Sequence, residues 1–158
     1  MYPIETWMNR LLPAFFLLAL AIPVQAGSLE ADPKAVARIE DGIVDCPGCR
    51  LEGANLVNTC VKAKDLHGAN FDGANATLMC MSFANFSGAS FRGTNLDAAN
   101  LSGARLDGAD LTGASTHITS FLGTDLTHVK GLTQKQLDAA CGDAKTKVPA
   151  GFKVHVCG

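Results

Sequence analysis

Between Leu51 and Leu126 an apolar residue returns at every fifth position. The residue is Leu, Phe, Val or Met in all units but two, which carry Ala76 and Thr116. Two places before it stands Ala or another small residue, and two places after it stands Gly in nine units. In an extended chain, side chains two apart share a face. The small residue at i−2 and the apolar residue at i therefore point inward, and the polar residues at i−1 and i+1 point outward. An odd period would turn the next apolar residue to the wrong face, so the chain bends once per unit. Gly at i+2 suits a tight turn at positive φ. A short fixed period of this kind predicts a stack of small units, a parallel β-helix.

A second period lies over the first. Units centred at 46, 66, 86 and 106, and at 51, 71, 91 and 111, all have Gly at i+2, whereas those centred at 56, 76, 96 and 116 carry Asn58, Leu78, Ala98 and Ile118. The 20-residue repeat predicts four units per coil, a four-sided solenoid with like positions stacked about 4.8 Å apart. Such a stack has open ends that need covering. Asp32, Pro33 and Gly42 read as the N-cap, first residue and stop of a helix, with Val36 and Ile39 facing the first coil. Thr133 and Gln136 read as a capping box opening a helix that runs through Leu137 to Cys141. Beyond it Phe152, Val154 and Val156 alternate with Lys153 and His155, which predicts one short extended piece.

The motifs ANLVN, ANFDG, ANFSG, ANLSG and ADLTG, with looser copies ASFRG, TNLDA and ARLDG, resemble the pentapeptide-repeat family, whose pattern is A(D/N)LXX. The resemblance covers residues 44 to 128. It implies an all-β fold, a right-handed quadrilateral parallel β-helix, here with short helical caps at both ends. It implies no single function. The best-understood members bind gyrase through a strongly acidic, DNA-like surface. This chain departs from them: residues 46 to 130 carry six Lys and Arg against seven Asp and Glu. The resemblance also implies self-association, end to end or along a side, as the simplest partner.

The first segment reads differently. Arg10 is followed by an apolar run from Leu11 to Ile22 and by Val24-Gln25-Ala26, which suits a signal-peptidase site. That run is too short to span a bilayer, which takes about 20 residues. The expected organisation is a signal peptide at 1–26, an N-terminal capping segment with a helix at 27–43, the β-helix at 44–130, and a C-terminal helix with a disulfide-held tail at 131–158. Periplasmic or extracellular localisation follows, with no integral membrane span after cleavage; an uncleaved interfacial anchor is the alternative. Export would leave Phe as the only aromatic, a poor kit for stacking on bases or sugars. The whole chain has a net charge of −2, and the mature part stays near that value, which gives no electrostatic footprint for nucleic acid.

Outside the cytosol an even cysteine count reads as disulfides. Cys60 and Cys80 stand at i−1 in units one full coil apart and should stack. Cys141 and Cys157 would hold the tail to its helix. Cys46 and Cys49, in Cys46-Pro47-Gly48-Cys49, stay undecided between a structural bridge and a thioredoxin-like thiol pair, and a zinc site drawn from these cysteines would have unfamiliar spacings. His67, His117, His128 and His155 do not cluster, and no paired carboxylates or Ser-His-Asp arrangement emerges. No catalytic, cofactor or metal residue is assigned. Lys64 stands at an inward i−2 position. Leu78, Ala98 and Ile118 form an outward apolar column, with Phe83 on the next side of the coil. That strip is either an interface for a protein partner or a second copy, or the seat of the tail around Phe152. The reading is an exported non-catalytic scaffold or protein-binding module, with a thiol redox or metal protein using Cys46 and Cys49 as the alternative and a DNA mimic disfavoured.

Overall fold

The computed structural model describes residues 30–42 and 45–157. The expected signal peptide and its cleavage point lie outside the described residues, as do positions 27–29 and 43–44 of the expected N-terminal segments. From residue 50 on, every fifth residue makes a parallel bridge to the residue 20 later: Arg50 to Asn70, Asn55 to Asn75, Cys60 to Cys80, Asp65 to Asn85, and so on to Asp110 with Lys130. The chain is a parallel β-helix with four sides per coil. Backbone hydrogen bonds join successive coils through the upper residue of each rung, as in Asn75 N–H to the Ala54 carbonyl and Leu56 N–H to the Asn75 carbonyl, 2.8 and 2.7 Å.

The core is built from the inward ladders. Leu51, Phe71, Phe91 and Leu111 stack in one, Leu66, Phe86, Leu106 and Leu126 in another, all buried. Phe71 and Phe91 stack with centroids 4.9 Å apart, and Phe86 meets both edge-on. Ala76 leaves room at a position elsewhere held by larger residues, and Met79, buried at an otherwise small position three residues on, brings volume back into the same coil. Inward Thr residues satisfy their hydroxyls across coils: Thr94 donates to the Phe71 carbonyl, Thr119 to that of Leu96 and Thr124 to that of Leu101, at 2.6–2.8 Å.

Helix α1, Pro33–Glu40, starts at Asp32, whose carboxylate accepts the Lys34 N–H, and turns out at Gly42 with φ +64°. Ile39 and Ala35 are its buried residues, and Val36 is half-buried beside them. Helix α2, Gln134–Ala139, opens on the expected capping box, Thr133 with Gln136. It stops short of Cys141, which instead begins β1, Cys141–Gly142. The Gln136 amide reaches into the last coil, donating to the Leu111 and Ala114 carbonyls, while the Thr116 hydroxyl donates back to the Gln136 carbonyl. β1 continues one side of the stack, since Ser120 bridges Cys141, and β2, His155–Val156, pairs parallel onto β1. The extended piece expected from 152 to 156 is thus only two residues long. Phe152 and Val154 pack on the core, but Val156 is 77% exposed, so the alternation fails at its last member.

Candidate functional site

The outward positions are less idle than a solvated face. The side chain at i−1 folds over its own turn: Asn70, Asn85, Asn95, Asn100, Asp110 and Asp125 each accept the N–H of the residue two later. This Asx geometry holds the corner. Asp97, at i+1, accepts the His117 N–H at 3.0 Å and the Ser115 hydroxyl in the next coil. Asp72 does the same for Arg92 N–H and Ser90. Asp125 is drawn down to a pKa of about 2, first by the Thr127 hydroxyl and N–H and then by Lys147. Asp65 is lowered by His67, and Asp110 by Thr112 and then Arg92.

Glycine occupies i+2 at most corners, at φ between 62° and 70° in the stack. Among the described residues six non-glycine positions share that left-handed conformation: Asn58, Ala63, Leu78, Phe83, Ala98 and Ile118. All six lie at the two corners that border one side of the stack, the side whose rungs are Cys60, Cys80, Asn100, Ser120 and Cys141. We call it the cysteine face. Its rungs carry no charge, whereas two other sides have Arg50, Asp110 and Lys130, or Asp65, Arg105, Asp125 and Lys147, among theirs.

The exposed large apolar residues gather at the same place. Leu78, Phe83 and Ile118 are 54%, 63% and 64% exposed, and Val57 and Leu122 stand exposed on the same two corners. Val156 belongs to β2, which extends the cysteine rungs through Cys141. Ala98 is half-buried between Leu78 and Ile118. Phe83 leans over Gly103, where an added Cβ would stand 2.7 Å from its ring. The expected column is therefore one border of a face. Val57, Leu122 and Val156 escape a reading made one column at a time, although the 20-residue register contains the two corner residues. The tail does not cover the strip: Phe152 and Val154 lie at the C-terminal end, where Gln134 exchanges hydrogen bonds with the Lys153 backbone.

The six cysteines come together as Cys60 with Cys80, Cys141 with Cys157, and Cys46 with Cys49, at Cα separations of 4.4, 5.0 and 5.4 Å. Cys46 is buried and Cys49 half-buried in the first coil, whose backbone is bonded to the second at Asp65 and His67. No helix opens on this pair, so the dipole that would activate a thiol is missing. Among the described residues no group of three or more His, Cys, Asp or Glu is placed to hold a metal ion, and no helix is long and apolar enough to cross a membrane. Asp97 meets the Ser115 hydroxyl and the backbone N–H of His117, but the hydroxyl donates to the carboxylate, where a nucleophile would need an imidazole as its acceptor. His67 and His128 pair separately with Asp65 and Asp107. Lys64 is half-buried. Glu52 breaks the outward rule, being buried beneath the chain that leads into α1, with Oε1 accepting from Asn70 at 2.8 Å.

The family model for pentapeptide repeats matches residues 48–78 and 80–115, in 8 copies. These residues are pentapeptide repeats. The repeat stack is similar to the crystal structure of a pentapeptide repeat protein, Rfr23, from the cyanobacterium Cyanothece 51142, with 27% identity, 61% of each chain covered and a TM-score of 0.49. It is similar also to QnrB1, a plasmid-mediated fluoroquinolone resistance protein, with 18% identity over 66% of this chain and 57% of that one, TM-score 0.44. A pentapeptide repeat protein of the Arabidopsis thaliana thylakoid lumen shares 25% identity over 75% of this chain and 66% of that one, TM-score 0.29. The match spans less than two thirds of the length of each of these three. Among curated proteins nothing matches the chain.

Proposed function

We propose that the chain is a non-catalytic, exported protein-binding module that docks through the cysteine face and its two borders. The coincidence of strain and exposure supports this most. A left-handed backbone costs an L-residue roughly 1–2 kcal/mol, and most other corners avoid that cost with Gly. Here Leu78, Phe83 and Ile118 accept it and also hold apolar side chains in water. Gly at these corners would spare the fold both features, and outliers of this kind point to a site. The module comprises the β-helix, 44–130, between an N-terminal capping segment with a helix, 27–43, and a C-terminal helix with a disulfide-held tail, 131–158. Its coil is right-handed, as parallel crossover connections are. Export fits the signal-like segment 1–26 and the pairing of the cysteines with one another. The near balance of charge along the stack supports neither a DNA mimic nor binding of nucleic acid.

The test uses the full oxidised chain as bait for proteins of the compartment in which it resides. The double variant Leu78→Ser, Ile118→Ser should lose what the parent captures while keeping its far-UV spectrum and melting point. Arg92→Ser, on another side, should lose nothing. Capture that survives the double change would refute the docking face.

A further inference from the structure

We infer that the Cys60–Cys80 bridge is a thiol-exchange site, which takes a protein thiol carried on an apolar segment and holds it as a mixed disulfide. This rests on the docking role proposed above for the cysteine face and gives the partner there its chemistry.

The bridge differs from the other two in access. Of the six cysteines Cys60 alone is exposed; Cys46 is buried, and Cys49, Cys80, Cys141 and Cys157 are half-buried. Exposed apolar residues surround it. Val57 and Leu78 stand on one border of the face and Phe83 on the other, each within three residues of Cys60 or Cys80. An apolar segment docked on them brings any thiol it carries to the sulfurs.

Opening the bridge leaves the stack standing. Cys80 N–H donates to the Thr59 carbonyl and Val61 N–H to the Cys80 carbonyl, both at 2.8 Å, so the two coils stay joined at this rung without the sulfurs. Asn100 and Ser120 continue the same side with side chains that form no covalent bridge. Cys141–Cys157, in contrast, ties down β2, which has only two residues to pair.

Geometry selects the sulfur that is attacked. Exchange proceeds by attack of a thiolate on one sulfur of a disulfide, in line with the bond that breaks. This bond joins residues stacked one coil apart, so it runs along the rod. Attack on Cys80 would come from above, where Asn100 is bonded over it. Cys60 is the first rung on its side among the described residues, and it is exposed. The partner's thiolate therefore bonds to Cys60 Sγ. The Cys60–Cys80 bond breaks, and its electron pair stays on Cys80 Sγ as a thiolate. The partner's thiol is oxidised to the mixed disulfide as the bridge is reduced, with no other reactant.

The corner after Cys80 suits that leaving group. At other corners an Asn or Asp in the place of Cys80 accepts from the residue two later. Asn85 and Asp125 take both N–H and hydroxyl, from Ser87 and Thr127. The same two donors are the main reason that the Asp125 carboxyl lies so low. Two places after Cys80 stands Ser82, which is buried, and among the described residues its N–H has no hydrogen-bond acceptor. A thiolate on Cys80 would take that N–H and the Ser82 hydroxyl. Stabilising the leaving thiolate speeds exchange.

The test incubates the full oxidised chain with a synthetic peptide bearing one Cys between Leu residues or, separately, with glutathione. A pH of about 8 keeps part of either thiol ionised. Acid quenching and mapping without reduction should find the peptide on Cys60 and Cys80 free, with the far-UV spectrum of the chain unchanged. The Leu78→Ser, Phe83→Ser variant should take up the peptide at least about 10-fold more slowly, and glutathione at the parent's rate. Adducts on Cys46, Cys49, Cys141 or Cys157 before Cys60, or a bridge that opens only as the chain unfolds, would overturn the exchange site. So would a peptide rate indifferent to Leu78 and Phe83, or equal slowing of both thiols. In the capture experiment above, binding kept by Cys60→Ser, Cys80→Ser but lost by Leu78→Ser, Ile118→Ser overturns the thiol and leaves the docking role. Binding kept by both variants overturns the two together.

Discussion

At the scale of single residues, the corners decide what the repeat tolerates. Ala98 sits at φ +56° and Gly73, in the same role on another corner, at φ +66° with open space around a would-be Cβ. Ala98→Gly should therefore stabilise the chain, and Gly73→Ala should destabilise it, each by about 1 kcal/mol, because only the backbone changes. Thermal melts of the two variants should shift in opposite directions. The sequence made the corner positions legible, since Gly recurs at i+2. It did not show that Asn58, Leu78 and Ile118 take the same left-handed turn, because a side chain there looks like an exception to the turn and is an exception only to its usual residue. The role of Asn and Asp at i−1 was hidden for a similar reason: a solvated polar residue and an Asx acceptor have the same letter.

These acceptors give the fold an acid limit. Asp125 falls from an ordinary 3.8 to about 2, and Asp65, Asp110 and Asp143 are also lowered. A carboxylate whose pKa is lower in the fold leaves the unfolded chain binding more protons, so stability rises with pH across that interval. The contribution is complete above about pH 4 and is lost as pH falls toward 2. Denaturant midpoints should be flat from about pH 5 to 7 and drop below about pH 4. Asp125→Asn should flatten part of that drop.

At the scale of ladders and helices, the apolar column carries the stability. Phe91→Ala, mid-stack between Phe71 and Leu111, should cost about 3–5 kcal/mol. An outward residue read from sequence alone should cost almost nothing, but Asp97→Ala removes a carboxylate that joins two coils at Ser115 and His117. Its cost should be about 1 kcal/mol, still far below that of Phe91. Urea unfolding of both variants checks the order. Both helices were readable from their ends, because Asp32-Pro33 and Thr133 with Gln136 are local signals. The path after α2 was not, because insertions break the register there. Ser120 meets Cys141 where the repeat would have brought Ala140, and Asp125 meets Lys147 where it would have brought Lys145.

At the scale of the whole molecule, everything proposed depends on which residues share a side. The cysteine face and its strained borders follow from four units per coil; three or five would scatter Leu78, Ala98 and Ile118 over different sides. The architecture was legible because the repeat is one-dimensional and each coil touches only its neighbours. The face was only half legible, since its two borders belong to different five-residue units and only the closed coil sets them together. Cys60 and Cys80 report on that coil directly, as they occupy the same side in successive coils with Cα atoms 4.4 Å apart. Peptide mapping of the oxidised, unreduced protein should recover Cys60 joined to Cys80, with Cys141 joined to Cys157. Cys60 joined instead to Cys141, or to Cys46 or Cys49, would contradict the coil and every face drawn from it.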